Sequence, residues 1–154
     1  MERIKSFTIN HDILVPGFYI SRVDGDITTY DMRTRRPNMG DYMSDLTMHS
    51  VEHMFATYIR NSELAEDVIY FGPMGCRTGF YLILAGEYES KDIVPLLKEL
   101  YTFMSEFEGD VPGACARDCG NYLDMNLPMA KYLSKKYLTD VLENISEERL
   151  IYPE

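Results

Sequence analysis

Apolar and polar positions change period several times along the chain, and each change marks an element. Gly17 to Val23 (GFYISRV) alternates and is rich in β-formers. Asp24-Gly25-Asp26 supplies a turn, and Ile27 to Thr34 returns as a second strand. Arg35 to Ser44, with Pro37 and Gly40, reads as a loop. The period then lengthens. Leu46, Val51, Met54, Phe55, Tyr58 and Ile59 recur at helical spacing, Ser44 or Asp45 can cap the start, and Asn61-Ser62 ends the run. Asp67 to Phe71 and Gly79 to Ala85 are two further strands around the Gly-rich segment 72–78. A second amphipathic helix runs from Ser90 to about Phe107, with Pro95 placed near its first turn, where a missing N–H costs least. Gly109 to Gly113 breaks the chain, and a short turn or helix carries Cys115 and Cys119. Pro128 to about Asn144 is a third helix, with Leu133, Leu138, Val141 and Leu142 inward. The pattern predicts one α+β domain over residues 1–154. Its core is an antiparallel four-stranded sheet packed against helices on one face, an α/β sandwich.

Composition narrows the partners. Fifteen Lys and Arg against 25 Asp and Glu give a net charge of −10, which repels nucleic acid and anionic lipid. Arg33, Arg35 and Arg36 are a local exception that could serve a small anion. No apolar run approaches the 18 or so residues of a membrane span. The N-terminus mixes charges and lacks the apolar core of an export signal, so a cytoplasmic protein is expected. Three cysteines, an odd number, then argue against a disulfide framework.

The sharpest chemical feature is His49-Ser50-Val51-Glu52-His53 on the first helix. At about 100° per residue, His49 and His53 project within about 40° of each other, one turn apart, which suits two imidazoles on one metal ion. Glu52 can flank that ion as an acid or base. The same residues would also suit an ordinary solvated helix face. A catalytic metal wants three protein ligands and an open position. His11, Cys76, Cys115, Cys119 and many carboxylates are available for the third place, and a thiolate would favour Fe(II), Co(II) or Zn(II) over Mg or Ca. A His-x-x-Glu-His helix also occurs in inverted zincins, so a metallopeptidase using His49, Glu52 and His53 is the alternative. A closed, purely structural metal module is a third reading. Cys76, in a Gly-flanked loop beside Arg77, is a candidate thiolate base or nucleophile, or an ordinary loop cysteine.

Taken in order, these pieces match a family. They are Ser6-Phe7 with His11-Asp12, Asp31-Met32-Arg33 with Pro37-Asn38, His49 to His53, Pro73-Met74-Gly75-Cys76-Arg77-Thr78-Gly79-Phe80-Tyr81, and Asp118-Cys119-Gly120-Asn121-Tyr122. Over nearly its whole length the chain resembles the S-ribosylhomocysteine lyases, the LuxS family, which make the autoinducer-2 precursor. The resemblance implies a metal held by His49, His53 and Cys119, usually Fe(II), with Zn or Co as substitutes. It implies Cys76 and Glu52 as the acid–base pair, Ser6, His11 and Arg33 lining the substrate pocket, and Arg60 meeting the substrate's amino-acid part. It further implies a homodimer with active sites built from both subunits. Tyr70 stands where many members carry an aspartate, and Cys115 matches no family motif and reads as a small packing residue.

The implied reaction splits S-ribosylhomocysteine into homocysteine and 4,5-dihydroxy-2,3-pentanedione without net redox change, by two carbonyl migrations and a β-elimination. Both proposed cysteine roles require the reduced thiol, which strengthens the expectation of a reducing cytoplasm. The implied product serves either signalling or only the recycling of the methyl-donor by-product.

Overall fold

In the computed structural model, which describes residues 1–154, the two N-terminal alternating runs form a hairpin. β1 (Gly17–Asp24) and β2 (Ile27–Arg33) pair antiparallel through a turn whose Gly25 has φ of +63°. That value is open to glycine at little steric cost. β3 (Val68–Pro73) and β4 (Gly79–Ala85) form a second antiparallel pair, and β4 also pairs with β2. The strand order is β1-β2-β4-β3.

Side-chain alternation gives this sheet two unlike faces. Phe18, Tyr30, Met32, Phe80, Leu82 and Leu84 are fully buried and form the apolar face. Three helices cover it: α1 (Asp45–Ile59), α2 (Ser90–Glu106) and α3 (Leu127–Tyr137). Phe55 of α1 stacks on Phe71 of β3 with ring centroids 3.7 Å apart, and Phe71 stacks in turn on Phe80. The Tyr137 hydroxyl of α3 donates to the Gly17 carbonyl at the start of β1, 2.7 Å away.

The opposite face carries Tyr19, Asp31 and Tyr81 in register, with Arg33 beyond them. None of the three α-helices lies on it, yet Asp31 and Arg33 are buried. The C-terminal segment helps cover it: Tyr152 stacks on Tyr19, and Arg149 donates to the Pro16 carbonyl at 2.9 Å.

Two local expectations change. Pro95 lies in the second turn of α2, so it removes the bond that would reach the Lys91 carbonyl. The helix start is held by a reciprocal bond from the Glu89 N–H to Asp92 at 3.2 Å. The third helix does not run unbroken to Asn144. It widens into a π-helical turn at Leu138–Leu142, where the Glu143 N–H reaches the Leu138 carbonyl. The Thr139 hydroxyl donates to the Lys135 carbonyl at 3.0 Å, a carbonyl that also accepts the Leu138 N–H.

Phe80 of β4 ends the aromatic stack that runs from Phe55 of α1 through Phe71 of β3. Phe80→Ala should cost about 3–5 kcal/mol, read as a lower urea midpoint with an unchanged slope.

Candidate functional site

α1 begins at Ser44, whose side chain accepts the Thr47 N–H. Its apolar positions, Val51, Met54, Phe55 and Ile59, are fully buried against the sheet and the other helices. That burial fixes the helix's rotation and turns His49 and His53 toward the segment 112–126. His49 Nδ1 lies 2.9 Å from the Asp124 carbonyl, and His53 Nδ1 lies 2.7 Å from the Pro112 carbonyl. A carbonyl only accepts, so each Nδ1 carries the proton and each Nε2 keeps a free lone pair. Cys119 Sγ stands 3.4 Å from His49 Nε2, and the donor atoms of His49, His53 and Cys119 all lie within 4.8 Å of one another. Two oriented imidazoles and one thiol converging on a point fit a divalent ion of the softer kind. Each imidazole is also braced from behind, as metal-bound histidines are.

The segment opposite α1 is irregular but tightly held. Ser50, wholly buried between the two histidines, donates to the Leu46 carbonyl and accepts the Asn126 N–H, each at 2.8 Å. The Cys119 N–H donates to the Cys115 carbonyl at 3.0 Å, closing one turn that aims the Cys119 thiol at α1. Gly113 has φ of +70°, and a Cβ there would press on the His53 ring at 3.3 Å. Pro112 and Gly113 therefore shape the cluster through backbone groups, and Asp124 through its carbonyl together with a carboxylate oxygen 3.4 Å from His49 Nδ1. Only the Gly109–Gly113 breaker hinted at them in the sequence, because a carbonyl leaves no residue signature.

Cys76 occupies a separate cleft of about 340 Å³ on the sheet face away from the helices, bounded by Ser6, His11, Arg33, Met74 and Tyr81. Its loop is fixed by bonds from Met74 to Gly79 and from Arg77 to Met74, with Arg77 at φ of +62°. A non-glycine residue in that region costs roughly 1–3 kcal/mol and persists only where its surroundings impose it. Arg33 reaches the loop from β2. Its Nη1 donates to Thr78 Oγ1 at 2.8 Å and lies 3.9 Å from Cys76 Sγ, while Thr78 Oγ1 is 3.1 Å from the same sulfur. Behind it, Arg33 Nε and Nη2 fork onto Asp31 at 3.1 and 2.6 Å. Burial works against the Arg33 charge, but the Asp31 carboxylate outweighs it and holds the guanidinium above its ordinary range.

Not every expected residue joins these clefts. Glu52 is half-buried on α1, next to His53 in sequence, with no hydrogen-bond partner in the chain. Arg60 caps α1 and points its guanidinium at the Val68 and Ile69 carbonyls, beside the bulge between Val68 and Tyr70. Tyr70 is exposed and lies across Gly72. Cys115 is exposed and stands outside the donor cluster, so it is not a packing residue. The three arginines do not form one patch. Arg33 is committed to Asp31, Arg35 is buried 3.4 Å from Asp41, and Arg36 is exposed. No helix is long and apolar enough to cross a membrane.

A four-stranded antiparallel sheet with three helices, a His-His-Cys donor set on the helical layer and a cysteine–arginine cleft on the other face define an α+β protein of enzyme-like build. Residues 4–148 match the family S-ribosylhomocysteinase (LuxS). The chain belongs to that family. It is 63% identical over 158 aligned positions to the S-ribosylhomocysteine lyase of Clostridium beijerinckii, covering 99% of each chain. It is 60% identical to that of Clostridium acetobutylicum and 56% to that of Finegoldia magna, in both cases over 100% of each chain.

Ser50→Ala would leave the Asn126 N–H without its partner. It should cost about 1–3 kcal/mol in urea unfolding, while an exposed control such as Thr57→Ala, away from that bond, stays near wild type.

Proposed function

We propose that this single-domain chain is an S-ribosylhomocysteine lyase, releasing homocysteine and 4,5-dihydroxy-2,3-pentanedione, the autoinducer-2 precursor. The observation that carries the reading is the convergence of His49, His53 and Cys119 in a chain of this family. Those three residues would hold one divalent ion, Fe(II) by preference with Zn or Co as substitutes, as an imidazole–thiolate set suits. When bound, the ion supplies Lewis-acid stabilisation of negative charge on the sugar oxygens.

The proton transfers fall to the chain's own side chains. Cys76, as thiolate, takes the proton from the carbon next to the carbonyl and returns it to the neighbouring carbon. Two such rounds move the carbonyl from C1 to C3. Removal of the C4 proton then forms the C4–C5 double bond and expels the C5 thioether sulfur as the homocysteine thiolate. The resulting enol takes a proton at C5 to give the dione, so no oxidant or reductant is needed. Glu52 works from the α1 side, passing protons between the sugar oxygens and to the departing sulfur. General acid–base help of this kind contributes typically about 10²–10⁴-fold. Arg33 supports the Cys76 thiolate by its positive charge. Ser6 and His11 contact the substrate from the cleft wall, and Arg60 meets the amino-acid end, beside Tyr70.

The two halves of this machinery lie apart in one chain: the cleft around Cys76 includes none of His49, His53 and Cys119. This supports a homodimer in which the Cys76 cleft of one copy meets the donor cluster of its partner. Exposed Phe7, Ile13 and Ile151 offer the apolar surface such contact needs. A reducing cytoplasm fits both proposed cysteine roles, which need the free thiol. The peptidase reading expects a carboxylate as third donor, and the donor that converges is a thiol.

Anaerobic purification with metal analysis, followed by a homocysteine-release assay, tests the reading. Active Fe(II) protein that loses activity in air supports it, and metal-replete protein that releases no thiol overturns it. Cys119→Ala and His53→Ala should lose the metal, whereas Cys115→Ala keeps it. Full occupancy in Cys119→Ala would refute the ligand assignment. Cys76→Ala and Glu52→Gln should keep the metal and lose about 10²–10⁴-fold in turnover. Mixing Cys76→Ala with Cys119→Ala subunits should restore about a quarter of wild-type activity, because half the dimers regain one intact shared site. No recovery after confirmed subunit exchange would place both groups in one chain's site.

A further inference from the structure

The Cys76 cleft is built on a hydrogen-bonded chain that begins near the C-terminus. Tyr152 donates its hydroxyl to Asp31 Oδ2 at 2.7 Å. Asp31 receives the Arg33 fork, and Arg33 Nη1 reaches Thr78 Oγ1 and the Cys76 sulfur. Asp31 is wholly buried and Arg33 is 2% exposed, so water does not compete for these bonds. The Tyr152 ring is fixed by stacking on Tyr19, centroids 4.9 Å apart, and Tyr19 is anchored through its hydroxyl to the Val15 carbonyl. Burial first, and the negative Asp31 second, push the Tyr152 hydroxyl far above its ordinary titration range, so it stays a donor.

We propose that Tyr152 is a positioning residue for Cys76, acting through the Asp31–Arg33 pair. This rests on the reading of Cys76 as the proton carrier. A buried carboxylate has more lone pairs than one guanidinium fork can satisfy. The Tyr152 hydroxyl fills a remaining site on Oδ2 and fixes the plane of the carboxylate. The fork then fixes the plane of the guanidinium, and with it the direction of Nη1. Without the hydroxyl the carboxylate can rotate, Nη1 swings with it, and the thiolate loses its oriented cation.

Tyr152→Phe removes the hydroxyl and keeps the ring on Tyr19. The ionisable groups facing Cys76 are Arg33, His11, Tyr42, Arg77 and Tyr81, with Asp31 behind Arg33, and the substitution replaces none of them. Two readouts are taken on metal-loaded protein. One is kcat and KM for homocysteine release. The other is the pH profile of Cys76 alkylation by iodoacetamide, followed on the Cys76 peptide by mass spectrometry. The expected result is a kcat lowered about tenfold with KM within about twofold, and an alkylation midpoint moved to higher pH. Tyr132→Phe, which removes an exposed hydroxyl on α3, changes neither. An unchanged alkylation profile overturns the proposal whatever happens to kcat, since a purely structural tail would alter turnover without touching the thiol. The alkylation readout needs no turnover. Near-wild-type turnover in Cys76→Ala with a shifted profile in Tyr152→Phe would therefore sink the role of Cys76 while leaving the positioning contact standing.

Discussion

The ion pair between Asp31 and Arg33 lies on the far face of the sheet, on β2, one of its two central strands, with both side chains out of water. Withdrawing two charges from solvent costs several kcal/mol each, and mutual attraction offsets this only when the remaining hydrogen-bonding groups are also satisfied. Satisfying them recruits distant parts of the chain. Tyr152 arrives from the C-terminal segment and Thr78 from the loop between β3 and β4. One requirement thus draws the tail across the far face and anchors the loop that carries Cys76. Loss of either charge would leave the other buried and unpaired, so the cleft and the fold stand or fall together at this point.

The donor cluster is stabilised in a different way. Its bracing is largely main-chain, with the Asp124 carboxylate also 3.4 Å from His49 Nδ1. The imidazoles are oriented by main-chain carbonyls of Pro112 and Asp124, and Ser50 ties the same segment to α1. A helix supplies two donors one turn apart at no cost in strain, and its buried stripe fixes their direction. The third donor then has to come from a segment braced against that helix, which is what the Cys115–Cys119 turn provides. Rigid helix and braced loop together shape the cluster.

Four strands and three helices were legible because period-two and period-3.6 burial dominate them. Gly17 to Val23, Gly79 to Ala85 and the α1 stripe fold where the pattern puts them. The two helical details that differ, Pro95 in the second turn and the π turn at Leu138–Leu142, depend on single hydrogen bonds that periodicity does not register. The His49–His53 pair was visible from spacing alone. Cys119 was one of several thiols and carboxylates until the family resemblance singled it out, and the fold brings its sulfur, rather than that of Cys115, to the imidazoles. Arg33 read as part of a basic patch because charge runs carry no information about burial. Only the register Tyr19–Asp31–Tyr81 shows that its face is covered. For Asp124, Pro112 and Tyr152 the sequence offered only the Gly109–Gly113 breaker, since two act largely through carbonyls and the third through a contact 121 positions away in sequence.

The two halves of the proposed site make opposite demands, which is an argument for dividing them. A thiolate that removes carbon-bound protons needs a fixed cation and exclusion of water, because enolate-like charge is poorly stabilised when bulk solvent can reorganise around it. Cys76 has the cation in Arg33, but in the single chain it is exposed. The donor cluster needs an open position facing the substrate, so its own segment cannot close over it. A second copy would resolve both at once. In the proposed homodimer the α1 side of one chain would cover the Cys76 cleft of the other, and the cleft would in turn close the open side of the cluster. Each half stays rigid on its own scaffold, the helix for the imidazoles and the buried ion pair for the thiol. The substrate is then the only element that has to fit between them.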